Sequence, residues 1–129
     1  MSNKIMIIDA HPVYAPKMVA FLESLTLKDT VVVAGGLKAM AAIAQHQPDV
    51  IVLSATLPDM DSVVLAGQIK SLHPGAPMIV QTGLLTSPQV SEAFKSAGVE
   101  YVVPRREKDW SAFQGALTDI LSASKTHRK

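Results

Sequence analysis

The sequence contains no cysteine, few aromatic residues and almost no net charge. Its 129 residues include 5% aromatic side chains and carry a formal net charge of +1. The lack of cysteine excludes disulfide bonds, thiolate catalysis and cysteine-ligated metal sites, and it suits a reducing compartment. The near-neutral charge provides no extended field that would attract nucleic acid. We therefore expect a cytoplasmic protein that does not itself bind nucleic acid.

Long hydrophobic runs are also missing. The N-terminus, MSNKIMIID, has no extended apolar stretch behind its lysine, and no segment approaches the roughly 20 apolar residues of a membrane-spanning helix. The sequence therefore predicts that the chain has no signal peptide and makes no contact with a membrane. The 48% of hydrophobic residues can fill one core in a chain of this length, whereas two independent cores would each be marginal. We expect one domain.

Short apolar runs alternate along the chain with stretches of helical periodicity. Most of the runs lack polar alternation, which is typical of parallel strands covered on both faces. Because strict alternation of strands and helices favours right-handed crossovers, the sequence predicts an α/β fold with helices on both faces of a parallel sheet. Its five predicted strands are residues 4–9, 30–35, 49–54, 77–82 and 99–104.

Apolar spacing also predicts which faces of the intervening helices are buried. Asp109 is placed to cap the last helix, which begins near Trp110. The predicted buried faces of the second and third helices consist of Leu37, Met40, Ala41 and Ala44, and of Leu65, Ile69 and Leu72.

Four polar residues lie where predicted strands end. Asp9, Ser54, Thr82 and Arg105 are at or just past the ends of the first, third, fourth and fifth strands. Ligand sites of open α/β sheets lie beyond the carboxyl ends of the strands, so these side chains can converge on one pocket. The alternatives are a functional site and a hydrogen-bonded polar cluster that closes the end of the sheet, and we favour the cluster.

The motifs of the chain, in order, resemble the receiver domain of two-component response regulators. IIDAHPVYAPKMVAFL is similar to its first strand and helix, PDVIVLSATLPDMDS to its phosphoacceptor strand and loop, and MIVQTG and AGVEYVVPRR to its last two strands. The resemblance covers nearly the whole chain. It implies a doubly wound five-stranded parallel sheet, a flavodoxin-like (CheY-like) three-layer sandwich with strand order 2-1-3-4-5. We expect this domain over residues 1–124, followed by a basic tail or the start of a linker at 125–129.

The resemblance also reveals departures in the phosphorylation pocket. Receivers have the phosphoacceptor aspartate at the position of Ser54, a second acidic residue at that of Ala10 and a lysine at that of Arg105, whereas Asp9 and Thr82 match. A serine hydroxyl without an adjacent base is a poor nucleophile, and Asp9 alone offers magnesium too few hard oxygen ligands. We therefore predict a degenerate pocket with no catalytic residue, no metal and no cofactor.

Protein–protein contact is the function that the resemblance then implies. Receivers commonly dimerise through the fourth helix, fifth strand and last helix, which predicts an interaction face at Val90, Phe94 and Val102 for a protein partner or a homodimer. The aromatic switch of receivers falls at Val102, and the ring of Tyr101, one residue earlier, should point to the other face of the strand.

Three alternatives remain for the biological context. The chain is the N-terminal regulatory domain of a helix-turn-helix transcriptional regulator, in which nucleic acid is bound only by an output domain beyond this chain, or it is a stand-alone adaptor of a signalling pathway. The third alternative is a small serine hydrolase that uses Ser54. It is disfavoured because LSATL lacks the glycine-flanked nucleophile elbow.

Overall fold

A computed structural model describes residues 3–83, 87–106 and 109–127. These residues form a single five-stranded sheet in the order β2-β1-β3-β4-β5, and every neighbouring pair of strands is parallel. The predicted fold class and strand order are confirmed. The strands are β1 (Ile5–Ile8), β2 (Thr30–Val33), β3 (Val50–Ser54), β4 (Met78–Thr82) and β5 (Tyr101–Pro104).

One helix follows each strand, so the sheet is covered on both faces. Alternate residues of β1 enter two different cores: Ile5 and Ile7 pack with α1 and α5, and Met6 and Ile8 pack with α2, α3 and α4. This explains why the strands read as continuous apolar runs. The helices are α1 (Tyr14–Ser24), α2 (Gly36–His46), α3 (Ser62–Leu72), α4 (Pro88–Ser96) and α5 (Ser111–His127).

The predicted buried faces of α2 and α3 were partly wrong. Leu37 is 75% exposed and Leu72 is 66% exposed, and Ala41 and Ala44 also face solvent. The face of α2 that enters the core is rotated by about one residue from the predicted one, and Gly36 on that face packs closely against Met60 of the loop after β3. Leu72 is the last residue of α3, where the helix leaves the sheet. The residues of α2 that are buried are Gly36, Ala39 and Ile43.

The two ends of α5 bear on two further predictions. Asp109 Oδ1 accepts hydrogen bonds from the Ser111 hydroxyl (2.6 Å) and N–H (3.0 Å), and these bonds lower the pKa of Asp109. It thus satisfies the first N–H of the helix, but from one residue before the N-cap position, which is Trp110. The helix continues to His127, so the predicted boundary at 124 falls within it. Residues 128 and 129 of the predicted tail lie outside the described residues. No helix in the described part of the chain is long and apolar enough to cross a membrane.

Candidate functional site

Asp9, Ser54, Thr82 and Arg105 lie together at the carboxyl end of the sheet. The Arg105 guanidinium donates through Nη2 to Asp9 Oδ2 (2.5 Å) and to Ser54 Oγ (3.3 Å). The Arg105 backbone N–H donates to the Thr82 carbonyl (2.7 Å), which places the side chain above the strand ends. Ala10 is half-buried beside Asp9 and contributes no polar side chain. The side chains of Asp9, Ser54 and Arg105 therefore form one connected cluster, and Thr82 joins it through its backbone carbonyl.

The ion pair of this cluster is shielded from solvent. The Asp9 side chain is 4% exposed and the Arg105 side chain 18%. The second carboxylate oxygen of Asp9 accepts from the His11 backbone N–H (2.9 Å), so both oxygens have fixed partners. A buried carboxylate held by a guanidinium and a backbone N–H is well satisfied, and removal of either charge would leave the other uncompensated.

Tyr14 and Gln81 complete the surroundings of Arg105, and sequence reasoning missed both. The Arg105 guanidinium carbon lies 4.1 Å from the centroid of the Tyr14 ring, within the range of a cation–π interaction. The Tyr14 hydroxyl accepts from Gln81 Nε2 (3.2 Å), and its ring stacks on Trp110. Tyr14 carried no separate signal, because it lies on the apolar face of α1 with Met18 and Leu22. Gln81 carried a usable signal, since it is a polar residue within a buried strand.

The hydroxyl of Ser54 is already engaged within its own loop. It donates to the Thr56 carbonyl (2.9 Å) and accepts from the Thr56 N–H (3.3 Å), in addition to its bond from Arg105. A serine nucleophile needs a base that accepts its proton, and a backbone carbonyl cannot act as one. This geometry does not favour the hydrolase alternative.

His11, beside the cluster, caps the first helix. Its Nδ1 accepts hydrogen bonds from the backbone N–H groups of Val13 (3.2 Å) and Tyr14 (3.0 Å). These are donors that the helix itself leaves unsatisfied at its N-terminus. The imidazole therefore fixes the start of α1 and with it the position of the Tyr14 ring over Arg105.

The residues of the pocket do not fit a magnesium ion. Magnesium requires several hard oxygen ligands in near-octahedral geometry. Asp9 offers the only carboxylate of the cluster, and both of its oxygens are bound to donors of the protein. Across the described ranges, no three histidine or acidic side chains are grouped as metal ligands would be. The cation that neutralises Asp9 is Arg105.

The predicted interaction face is only partly at the surface. Val90 and Val102 are half-buried and pack against the core formed with α2, α3 and α4, and Val90 lines a groove of about 420 Å³. Phe94 is 2% exposed and belongs to that core, so its place in the face is corrected: the side chain points from α4 toward the sheet. Tyr101 packs in the opposite core from Val102, as the strand alternation predicted.

Asp59 forms a contact that sequence reasoning did not anticipate. From the loop after β3, its carboxylate accepts from the Gly36 N–H (2.9 Å) and the Leu37 N–H (3.0 Å), and it thus caps α2 across 23 positions of sequence. A Cβ atom on Gly35 would lie 2.7 Å from Asp59 Oδ2, so the glycine allows this approach. The hydrogen bonds from Leu37 and Gly36 lower the pKa of Asp59.

Asp59→Asn should therefore weaken the fold at neutral pH more than in acid. Because the pKa of Asp59 is lowered in the folded state, its ionised carboxylate stabilises the fold above its ordinary value of 3.8, and this contribution is lost as the pH falls through the lowered value. Urea denaturation at pH 7 and pH 3 should show a difference between wild type and variant that shrinks in acid. Asp119→Asn, at an exposed position of α5, is the control. An unchanged difference at both pH values would contradict the assignment.

The fold and this cluster together define the class of the protein. A parallel sheet in the order 2-1-3-4-5, with polar residues gathered beyond its carboxyl ends, is the doubly wound flavodoxin-like class. Within that class the chain belongs to the response regulator receiver domain family, whose sequence model matches residues 5–109. Members of this family are signalling modules.

Individual relatives agree with this assignment. The DNA-binding transcriptional regulator NtrC of Salmonella typhimurium is 31% identical over 67 residues, which are 52% of this chain and 14% of NtrC. Two solved structures show the same fold. A two-component response regulator from Clostridium difficile is 21% identical (TM-score 0.85, covering 94% of this chain and 97% of that one). The BeF3-activated receiver domain of Klebsiella pneumoniae RstA is 23% identical (TM-score 0.83, 92% and 98%).

Proposed function

We propose that the chain is a pseudoreceiver, a cytoplasmic signalling module that acts through protein–protein contact and does not depend on phosphorylation. The observation that carries this proposal is the pairing of the Arg105 guanidinium with Asp9 and its bond to Ser54. By resemblance, Asp9 is the one carboxylate left of those that would hold a metal ion in a receiver, and Arg105 already pairs with it. The pocket is thereby neutralised from within.

The chemistry of Ser54 supports the same conclusion. Alignment by resemblance puts Ser54 at the phosphoacceptor position, where an anionic carboxylate attacks the phosphodonor. Serine is neutral at pH 7, and its proton is directed at the Thr56 carbonyl. Ser54 therefore has neither the charge nor the base that attack on phosphorus requires.

The partner is expected at the face of α4 and β5 that carries Val90 and Val102. This face is available whatever the state of the pocket, so contact there would be constitutive and controlled by abundance or by the partner itself. The partial match to NtrC, described as a DNA-binding transcriptional regulator, favours an N-terminal regulatory domain. In that case DNA would be bound by an output domain. A stand-alone adaptor is the alternative.

Incubation with magnesium and acetyl phosphate should leave the intact mass of the protein unchanged. Ser54 lacks the carboxylate that forms an acyl phosphate, and Arg105 already neutralises Asp9. Electrospray mass spectrometry checks this. A receiver domain that has the phosphoacceptor aspartate and both acidic residues of the pocket is the positive control, because it should be phosphorylated by the same donor. A stable phosphoryl adduct mapped to Ser54, Asp59 or Asp61 would contradict the proposal.

The triple variant Ala10→Asp, Ser54→Asp, Arg105→Lys should recover the phosphoryl adduct only in part, because the effects of adjacent charge changes are coupled.

A further inference from the structure

The outward side of α2 and α3 carries more exposed large hydrophobic side chains than the other described helices. In the described part of the chain, five large hydrophobic side chains are exposed, and three of them lie here: Leu37, Val64 (53% exposed) and Leu72. Met40 is half-buried between them and also contributes to this surface. We call these four residues and the exposed positions around them the α2–α3 surface. Contiguous exposed apolar surface of this kind marks an interaction site.

Charge is scarce on the α2–α3 surface. Two of the five exposed positions of α1 are charged, Lys17 and Glu23, and so are two of the five of α4, Glu92 and Lys95. On α2 and α3 together only one of nine exposed positions is charged. These nine are Leu37, Lys38, Ala41, Ala44, Gln45, Val64, Gln68, Ser71 and Leu72. A nucleic acid or an acidic peptide would find a single cation there, so the occupant must itself be almost uncharged and apolar.

The α2–α3 surface has both a depression and projecting side chains. A depression of about 670 Å³ runs between α2 and α3. The largely exposed side chains of Leu37 and Leu72 project at the margins of the same surface. Small residues at Ala41, Gly67 and Ser71 allow the ridge of another helix to approach closely. The residues that line the depression are Met40, Val64, Gly67, Gln68, Ser71 and Leu72.

We propose that a second copy of this chain occupies the α2–α3 surface. In a two-fold interface each copy presents the same patch, so one surface must hold both the projecting groups and the depression that receives them. The α2–α3 surface meets that requirement. With the helices of the two copies antiparallel, Lys38 near the start of α2 would lie over the negative ends of the other copy's helices, so the single charge is also matched. The face with Val90 and Val102 remains free for a different protein.

Sedimentation velocity over a concentration series from micromolar to submillimolar tests this on the full chain. The wild type should form a dimer. Val64→Glu and Leu72→Glu, at exposed positions that leave folding intact, should weaken dimerisation at least about tenfold, because each interface would bury two unpaired carboxylates. Ala20→Glu, at an exposed position of α1 outside both faces, is the matched control and should leave the dimer unchanged. Circular dichroism verifies the fold of each variant.

A cross-linking experiment uses the absence of cysteine. Each variant with one introduced cysteine has a single thiol, so Ser71→Cys with a short bis-maleimide should give a covalent dimer, whereas Glu92→Cys on α4 should not. A wild type that stays monomeric at all concentrations would overturn the proposal and leave this surface to an unrelated partner. A dimer that Val90→Glu dissociates and that cross-links through Glu92→Cys would overturn it too, and would assign the second copy to the face of α4 and β5. Neither outcome depends on whether the protein can be phosphorylated.

Discussion

Replacing Arg105 with methionine is expected to lower the free energy of unfolding by about 3–5 kcal/mol, the usual cost of removing one partner of a buried ion pair. Asp9 would remain buried with its charge uncompensated, and the Tyr14 ring would lose the cation above it. Urea denaturation at pH 7 measures the change. Arg106→Met is the matched control. The Arg106 side chain is exposed, so this substitution should change the free energy of unfolding little.

A double variant separates the ion pair from general packing. Asp9→Asn with Arg105→Met removes both charges, so the double variant should be more stable than Arg105→Met alone. The recovery should be incomplete, because the bonds of Arg105 to Ser54 and of Asp9 to the His11 N–H are also altered. If Arg105→Met is as stable as Arg106→Met, the pair does not hold the end of the sheet together.

Phe94→Ala is expected to lower the free energy of unfolding by about 3–5 kcal/mol, as large-to-small changes in a packed core do. Phe94 is enclosed by the core formed with α2, α3 and α4, so truncation leaves a cavity under α4. Val90→Ala, one turn earlier on the same helix and half-buried, should cost much less. A variant Phe94→Ala that keeps its stability but fails to assemble would restore Phe94 to the interaction face.

The contacts at the carboxyl end of the sheet bear on how the protein could be regulated. A ligand shifts a conformational equilibrium only by its differential affinity for the two states. Arg105 is held by Asp9, Ser54 and Tyr14, so contacts within the protein already close the end of the sheet. By resemblance Val102 falls at the aromatic switch position of receivers, so we expect no ring to move on that side of β5. We expect a single resting conformation whose output is set by contact with partners.

The sequence by itself determined the architecture and which polar residues lie together at the carboxyl end of the sheet. Apolar runs separated by helical periodicity are enough to indicate a parallel sheet covered on both faces, and parallel strands bring their carboxyl ends to one edge. For that reason the sequence alone groups Asp9, Ser54, Thr82 and Arg105. The motif order then indicated the strand order, because it placed each strand within a known topology.

Only the tertiary structure decided the partners and orientations of individual side chains. Asp9 and Arg105 are 96 positions apart, and whether a long guanidinium reaches a carboxylate depends on how two loops close. The contact of Asp59 with the start of α2 has the same origin. Periodicity finds an apolar stripe but not its rotation against the sheet, so it could not separate buried Phe94 from exposed Leu37 and Leu72. That rotation is set by packing between helix and sheet, which no local pattern encodes.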